Sequence, residues 1–338
     1  TFQNLRKTNI TTRDIDKKGY KHFLEKEIYE TSDILVKTIN AYLQPKSLID
    51  NDSLNKAIII DSSQVPSFII KSLKERKINK IIITGMGTCY TAAVAISRFM
   101  RSRLGKFIPD ILVEPHIASE GSAFYLRPNM QDILVIVIAQ SGTTVDTNVY
   151  VQMAKERGAM SLAIANKREG DVTFIVDGTL YIGEGRDIEV AVPSTKTYTA
   201  QVILGYLLTM YFCTQFNQNN ENKIILNEDL ENIRNAENLI NDSFTAIEKL
   251  NFWEELCESS HKYNSWYVAR DGSSNSVCCD EIRIKYSENC YQSVPSININ
   301  EIYEKNIVDS FITFITESKL SDLSSEITEI LERGNKLV

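Results

Sequence analysis

Residues 133–138 (ILVIVI) form an unbroken run of Ile, Leu and Val, and no other feature limits the fold of this chain so tightly. Such a run suits a strand buried on both faces, as in parallel sheets with helices on each side. It breaks into Gln140, Ser141, Gly142, Thr143 and Thr144, and a helical pattern follows over 145–157. Three hydroxyls and a glycine therefore stand where strand turns into helix. There the first backbone N–H groups lack partners and the helix dipole is positive, so an anion is stabilised. Hydroxyl donors without a lysine suit a sugar monophosphate better than a nucleotide triphosphate, and the pattern GxxxxGK[ST] is missing. Ordinary helix capping by Ser and Thr is the competing reading.

The alternation continues on both sides of this segment. An amphipathic helix is expected over 20–43, ending before Pro45, then a polar stretch to about Asp52. Next come a helix over 66–76, a strand at 80–84, the turn 85–88 and a helix to about Leu104. Strands near 111–114, 160–165 and 178–182 and a long helix over 195–212 complete a doubly wound parallel sheet. Ligands bind at the carboxyl ends of such strands, where the loops at Gly85, Gln140 and Ser194 would converge. After a polar break at 217–222 and helices over 227–263, the order repeats: strand 265–269, turn 270–274, helix 276–291, strand 311–315, helix 324–334. RDGSS answers GMGT and ITESKL answers AQSGTT, without the glutamine–serine–glycine turn. The organisation is therefore an arm and helix over 1–50, a first α/β domain over 51–216, and linker helices with a second, incomplete α/β domain over 217–338. Thr1 at one end and a strand just beginning at 335–338 give both ends the look of cuts in a longer chain.

Composition excludes several classes. A net charge of −7 with scattered basic residues argues against nucleic acid as a partner. No apolar run reaches membrane-spanning length, and no signal peptide opens the sequence. Six cysteines without CxxC spacing imply reduced thiols and a cytoplasmic location. Three distant histidines, His22, His116 and His261, offer no metal-ligand spacing, so neither metal nor cofactor is expected.

Three stretches, GMGTCYTA (85–92), AQSGTTVDT (139–147) and VPSTKTYTAQ (192–201), together resemble the sugar isomerase (SIS) domain of glutamine–fructose-6-phosphate aminotransferases, the glucosamine-6-phosphate synthases. The resemblance begins at KKGYKHFLEKEIYE (17–30) and runs through EPHIASE and GRDIEVAVPSTK to DEIRIKYSENCY (280–291). It implies two flavodoxin-like sugar isomerase units that hold fructose 6-phosphate or glucosamine 6-phosphate. By position, Gln140, Ser141 and Thr144 would bind phosphate, and Thr88 with Cys89 would touch phosphate or sugar. Val192, Ser194 and Lys196 would belong to a third loop. Glu288 matches the glutamate that moves a proton between sugar carbons C1 and C2, and Lys285 its neighbouring lysine. Isomerisation needs a carboxylate to take and return a proton, beside a charge that stabilises an enediol-like intermediate. The family also implies a homodimer and a glutaminase domain on the parent chain.

Competing readings come from the residues themselves. Glu281, Lys285 and Glu288 share one helical face, as a surface Glu–Lys–Glu ladder also would. Lys196 could be a solvated residue, although a cation in a first helical turn opposes the dipole. Cys89 stands where the family usually has serine and suits a small packing residue; a helix start would also depress a thiol. Ala139 replaces a serine of the family pattern. The family's KHGP histidine is missing, with Glu304 or Asn306 near its place, and the tail lysine would lie past Val338. The alternatives are a non-catalytic sugar-phosphate-binding module, or a stand-alone isomerase or deaminase using free ammonia.

Overall fold

The computed structural model describes residues 15–45, 54–216, 219–249, 252–273 and 275–338. Most of the polar arm, the stretch 46–52 and part of the break at 217–222 lie outside them. The chain divides into two compact units, Thr1–Ile240 and Asn241–Val338.

The first unit opens with four helices, α1 (Phe23–Tyr29), α2 (Thr31–Tyr42), α3 (Leu54–Ala57) and α4 (Ser67–Lys74). Strands and helices then alternate: β1 (Lys80–Gly85), α5 (Thr88–Leu104), β2 (Leu112–Ile117), α6 (Ala118–Phe124), β3 (Ile133–Ala139), α7 (Val145–Glu156), β4 (Met160–Ala165) and β5 (Gly178–Tyr181). Helix α8 (Lys196–Thr214) follows. The strands form one parallel sheet in the order β2-β1-β3-β4-β5.

All seven residues of β3 are buried. Side chains alternate across a strand, and the two faces of β3 feed different cores. Leu134, Ile136 and Ile138 pack with Ile96 of α5 and Leu204 of α8. Val135 and Val137 pack with Tyr150, Val151 and Ala154 of α7. The purely aliphatic run thus reflects helices on both faces, as expected from sequence.

In the second unit the same logic recurs on a smaller scale. After α9 (Asn220–Lys249), which crosses the division between units, come α10 (Phe252–Ser260), β6 (Trp266–Arg270), α11 (Ser276–Cys290), β7 (Ser296–Asn298) and α12 (Ile299–Glu304). They are followed by β8 (Phe311–Ile315), α13 (Ser324–Glu332) and β9 (Lys336–Leu337). The parallel order β7-β6-β8-β9 copies β2-β1-β3-β4. No counterpart of β5 follows among the described residues, matching the expected incomplete repeat.

Three details depart from expectation. The helix over 20–43 is two helices meeting at Glu30, which is the C-cap of α1 and the N-cap of α2. Helix α6 fills the span after β2, and β7 with α12 fills the span after α11. These pieces are short, and β7 is held by pairing with β6 rather than by any periodicity of its own. No described helix is long and apolar enough to cross a membrane.

Candidate functional site

In the first sheet the strand order reverses at β1, which lies between β2 and β3. A doubly wound sheet opens a crevice at the carboxyl ends of the strands at such a point. The turns that leave β1 and β3 therefore lie side by side there.

The turn after β1 runs from Gly85 to Thr88 and leads into α5. A Cβ on Gly85 would come within 2.7 Å of the Cys89 backbone, so only glycine lets the strand end this close to the helix. Gly87, at φ +54°, is the N-cap of α5 and has no side chain to cap it. Thr88 is buried, and Cys89 is half-buried and receives Gln201 Nε2 at 3.7 Å on its sulfur. That contact ties the start of α5 to α8.

The turn after β3 holds Gln140, Ser141, Gly142 and Thr143, with Thr144 as the N-cap of α7. Gly142 takes φ +71°, and a Cβ there would sit 2.7 Å from the Gly170 Cα. Its carbonyl accepts hydrogen bonds from Asn148 Nδ2 at 3.2 Å and Val172 N at 3.1 Å. Ser141 Oγ lies 3.0 Å from Thr143 Oγ1 and accepts from Thr143 N at 3.3 Å. The Thr144 side chain makes no capping hydrogen bond. Routine capping thus does not account for these hydroxyls. The turn is held at the Gly142 carbonyl and exposed at Thr143 and Thr144.

The third loop follows β5 and reaches the same edge, since Asn166, just beyond β4, donates through Nδ2 to the Asp187 carbonyl. Here carboxylates dominate. Glu189 Oε1 accepts from Thr195 N at 2.8 Å and Thr197 N at 3.2 Å, and its Oε2 accepts from Ser194 Oγ at 2.8 Å and from Thr197 Oγ1. It therefore occupies the amino end of α8. Lys196 is buried and donates to Glu30 Oε2 at 2.8 Å, so it is not a solvated residue of the first turn. Lys18 reaches the same carboxylate at 2.7 Å. Burial works to raise the Glu30 carboxyl, but hydrogen bonds from Lys18 and Lys196 hold it below the ordinary range. Val192 is 93% exposed at the tip of this loop.

The second unit carries the other candidates. On α11, Lys285 Nζ lies 3.1 Å from Glu281 Oε1 and 3.0 Å from Glu288 Oε2. Glu281 is buried, Lys285 half-buried and Glu288 exposed. The cation thus bridges an inner carboxylate and an outer, solvent-exposed one. Glu304 ends α12, and Asn306 follows with φ +50° and a 3.4 Å contact to Arg333.

Sequence reasoning overlooked several residues of this architecture. Glu189 and Glu27 sit inside quoted motifs, but as carboxylates they read as surface. Buried Asn148 Oδ1, Asn166 Oδ1, Thr195 Oγ1 and Gln201 Oε1 have no protein partner among the described residues. Asn148, Asn166 and Thr195 belong to the edge where the three loops meet, and Gln201 reaches it through Cys89. A buried polar atom left unpaired costs about 1–3 kcal/mol, a debt that a polar ligand or water can settle.

The SIS domain family model matches residues 74–211. Over 334 residues the chain is 30% identical to a protein of Clostridium tetani, "Glutamine--fructose-6-phosphate aminotransferase [isomerizing]", covering 96% of this chain and 50% of that one. The chain spans about half the length of the curated relatives it matches. Among solved structures, the C-terminal domain of glucosamine-fructose-6-phosphate aminotransferase from Francisella tularensis superposes with a TM-score of 0.76 at 22% identity. That match covers 95% of this chain and 84% of that one. Glucosamine-6-phosphate deaminase from Thermotoga maritima gives 0.63 at 14% identity, covering 94% and 84%. At these identities the structural likeness is one of fold.

Proposed function

Because this chain belongs to the SIS-domain family, we propose that it is the isomerase half of a glutamine–fructose-6-phosphate aminotransferase, binding fructose 6-phosphate and glucosamine 6-phosphate and interconverting ketose and aldose forms. The observation that carries this reading is the pair of glycine turns at the adjacent carboxyl ends of β1 and β3. Each opens a helix whose N-cap makes no side-chain capping bond. An anion there gains the helix dipole and nearby hydroxyls.

In this reading Gln140, Ser141 and Thr144 hold the phosphate, Thr88 and Cys89 border it, and Val192, Ser194 and Lys196 belong to the loop beside the sugar. Glu288 removes a proton from one sugar carbon and returns it to the next. Lys285 stabilises the negative charge that builds on the enediol oxygens. Isomerisation needs no metal and no redox cofactor in this scheme. A glutaminase domain on the parent chain and a second copy of this chain are the partners it entails, in the cytoplasm.

One feature favours a binding module without catalysis: Glu304 and Asn306 stand where the family's loop carries histidine. The experiment that separates the readings follows fructose 6-phosphate interconversion and glucosamine 6-phosphate binding in parallel. The enzyme reading expects turnover by the wild-type protein and a loss of at least about 100-fold in E288Q with binding retained. Binding without turnover in the wild-type protein overturns the catalytic assignment and leaves the module.

A further inference from the structure

We propose that Glu27 on α1 is a positioning residue of the sugar-phosphate site, fixing the third loop from outside the crevice; this rests on the site assigned above. Helix α1 is unusual in what it buries. Its two buried residues are Lys26 and Glu27, while its Ile28 is 38% exposed. A carboxylate loses favourable hydration when buried, so a short helix that buries one must give it partners.

The partners are backbone amides more than 160 residues away. Glu27 Oε1 accepts from Val190 N at 2.6 Å and lies 3.4 Å from Ala191 N, which is 3.3 Å from Oε2. Burial pushes the Glu27 carboxyl up, and the two amides pull it back. The charged groups that act on it are Glu189 on the loop and Lys196 on α8.

A trans peptide is planar, with N–H and C=O pointing opposite ways. Anchoring the N–H groups of Val190 and Ala191 on Glu27 therefore turns the Glu189 and Val190 carbonyls away from α1. Glu189 holds the other end of the loop through Thr195 N and Thr197 N. Val192 and Ser194 lie between two carboxylate clamps. Glu189 ties the loop to the start of α8 through Thr197, and Glu27 ties it to α1 from the other side. The loop is thus held on two elements, and Glu27 substitutions release one of them.

The test uses the full chain, calorimetry with glucosamine 6-phosphate, and melting temperature. E27A should weaken binding on the order of tenfold. E27Q keeps one amide oxygen as acceptor but turns an NH2 donor towards the second N–H; it should recover most of the affinity, to within about threefold of wild type. A purely structural role would lower the melting temperature while the folded fraction bound normally. Wild-type affinity in folded E27A overturns the proposal and leaves the site assignment standing. So does equal loss in E27A and E27Q, since the acceptor would then not be what matters. Should E27A fail to fold, E27D decides: its carboxylate is one methylene too short to hold both amides, so binding should weaken, and wild-type affinity in folded E27D overturns the proposal. No binding by the wild-type protein overturns the site assignment and this proposal together.

Discussion

Ser141 and Thr144 illustrate how little of a binding site is visible in a residue's type. Both are ordinary helix-start residues, yet Thr144 leaves its capping role unused while Ser141 turns to Thr143. Replacing them with Ala and Val removes donors and leaves the backbone amides of α7. We expect at least a tenfold loss of glucosamine 6-phosphate affinity in the double variant, measured by calorimetry; unchanged affinity would refute the assignment. Gly142 makes the complementary point. Its φ of +71° and its contact with Gly170 leave no room for a side chain. G142A should therefore cost about 1–3 kcal/mol in denaturant unfolding and weaken ligand binding as the turn shifts. The turn residues were legible because a strand, a glycine and hydroxyls follow one another locally. Glu27 and Glu189 were not, because they accept from backbone amides, and Glu189 from the Ser194 and Thr197 hydroxyls as well, in an arrangement that no side-chain spacing announces. For Glu27 those amides are also distant in sequence.

At the scale of elements, β2 and α7 are joined by a buried polar contact. His116 Nδ1 lies 2.9 Å from the Tyr150 hydroxyl, and its Nε2 lies 3.4 Å from Glu114. Burial holds the His116 ring below its ordinary pKa despite the pull of Glu114. The native ring stays neutral while the unfolded chain takes up a proton near about pH 6.5. Its contribution is therefore complete above that pH and declines as the pH falls towards the native value. Urea unfolding compared at about pH 7.5 and 5.5 should show a smaller acid loss in H116Q than in the wild-type protein; an equal loss would place the titration elsewhere. Elements with their own periodicity, such as β3 and α7, were readable in advance. β7 was not: Ser296–Asn298 is polar on two of three positions and owes its strand conformation to β6. The division at Glu30 was equally hidden, since Lys18 and Lys196 capture its side chain from outside the helix.

For the whole molecule, two units of the same strand order raise the question of how many anions one chain can hold. In the second unit the turn after β6 passes through Gly272 at φ +82°, and the helix start that follows is already occupied. Glu317, from the turn after β8, accepts the Asn275 N–H at 3.0 Å through Oε1. Its carboxylate lies so close to Gly272 that a Cβ there would meet it at 2.5 Å. Beside it, Asp271 Oδ2 accepts from Thr316 Oγ1 at 3.2 Å and from Ser318 Oγ. A phosphate entering this crevice would have to displace one carboxylate and approach another, where like charges repel. The first unit differs at both turns, since among the described residues no carboxylate is bonded to the backbone N–H of the N-cap residues Gly87 and Thr144. Internal pseudo-symmetry therefore ends at the level of charge, and we expect a single equivalent of glucosamine 6-phosphate per chain in calorimetry. Two equivalents would mean that Glu317 yields to the ligand. In that case E317Q, which removes the charge and keeps the size, should tighten the weaker of the two binding events and leave the stronger unchanged.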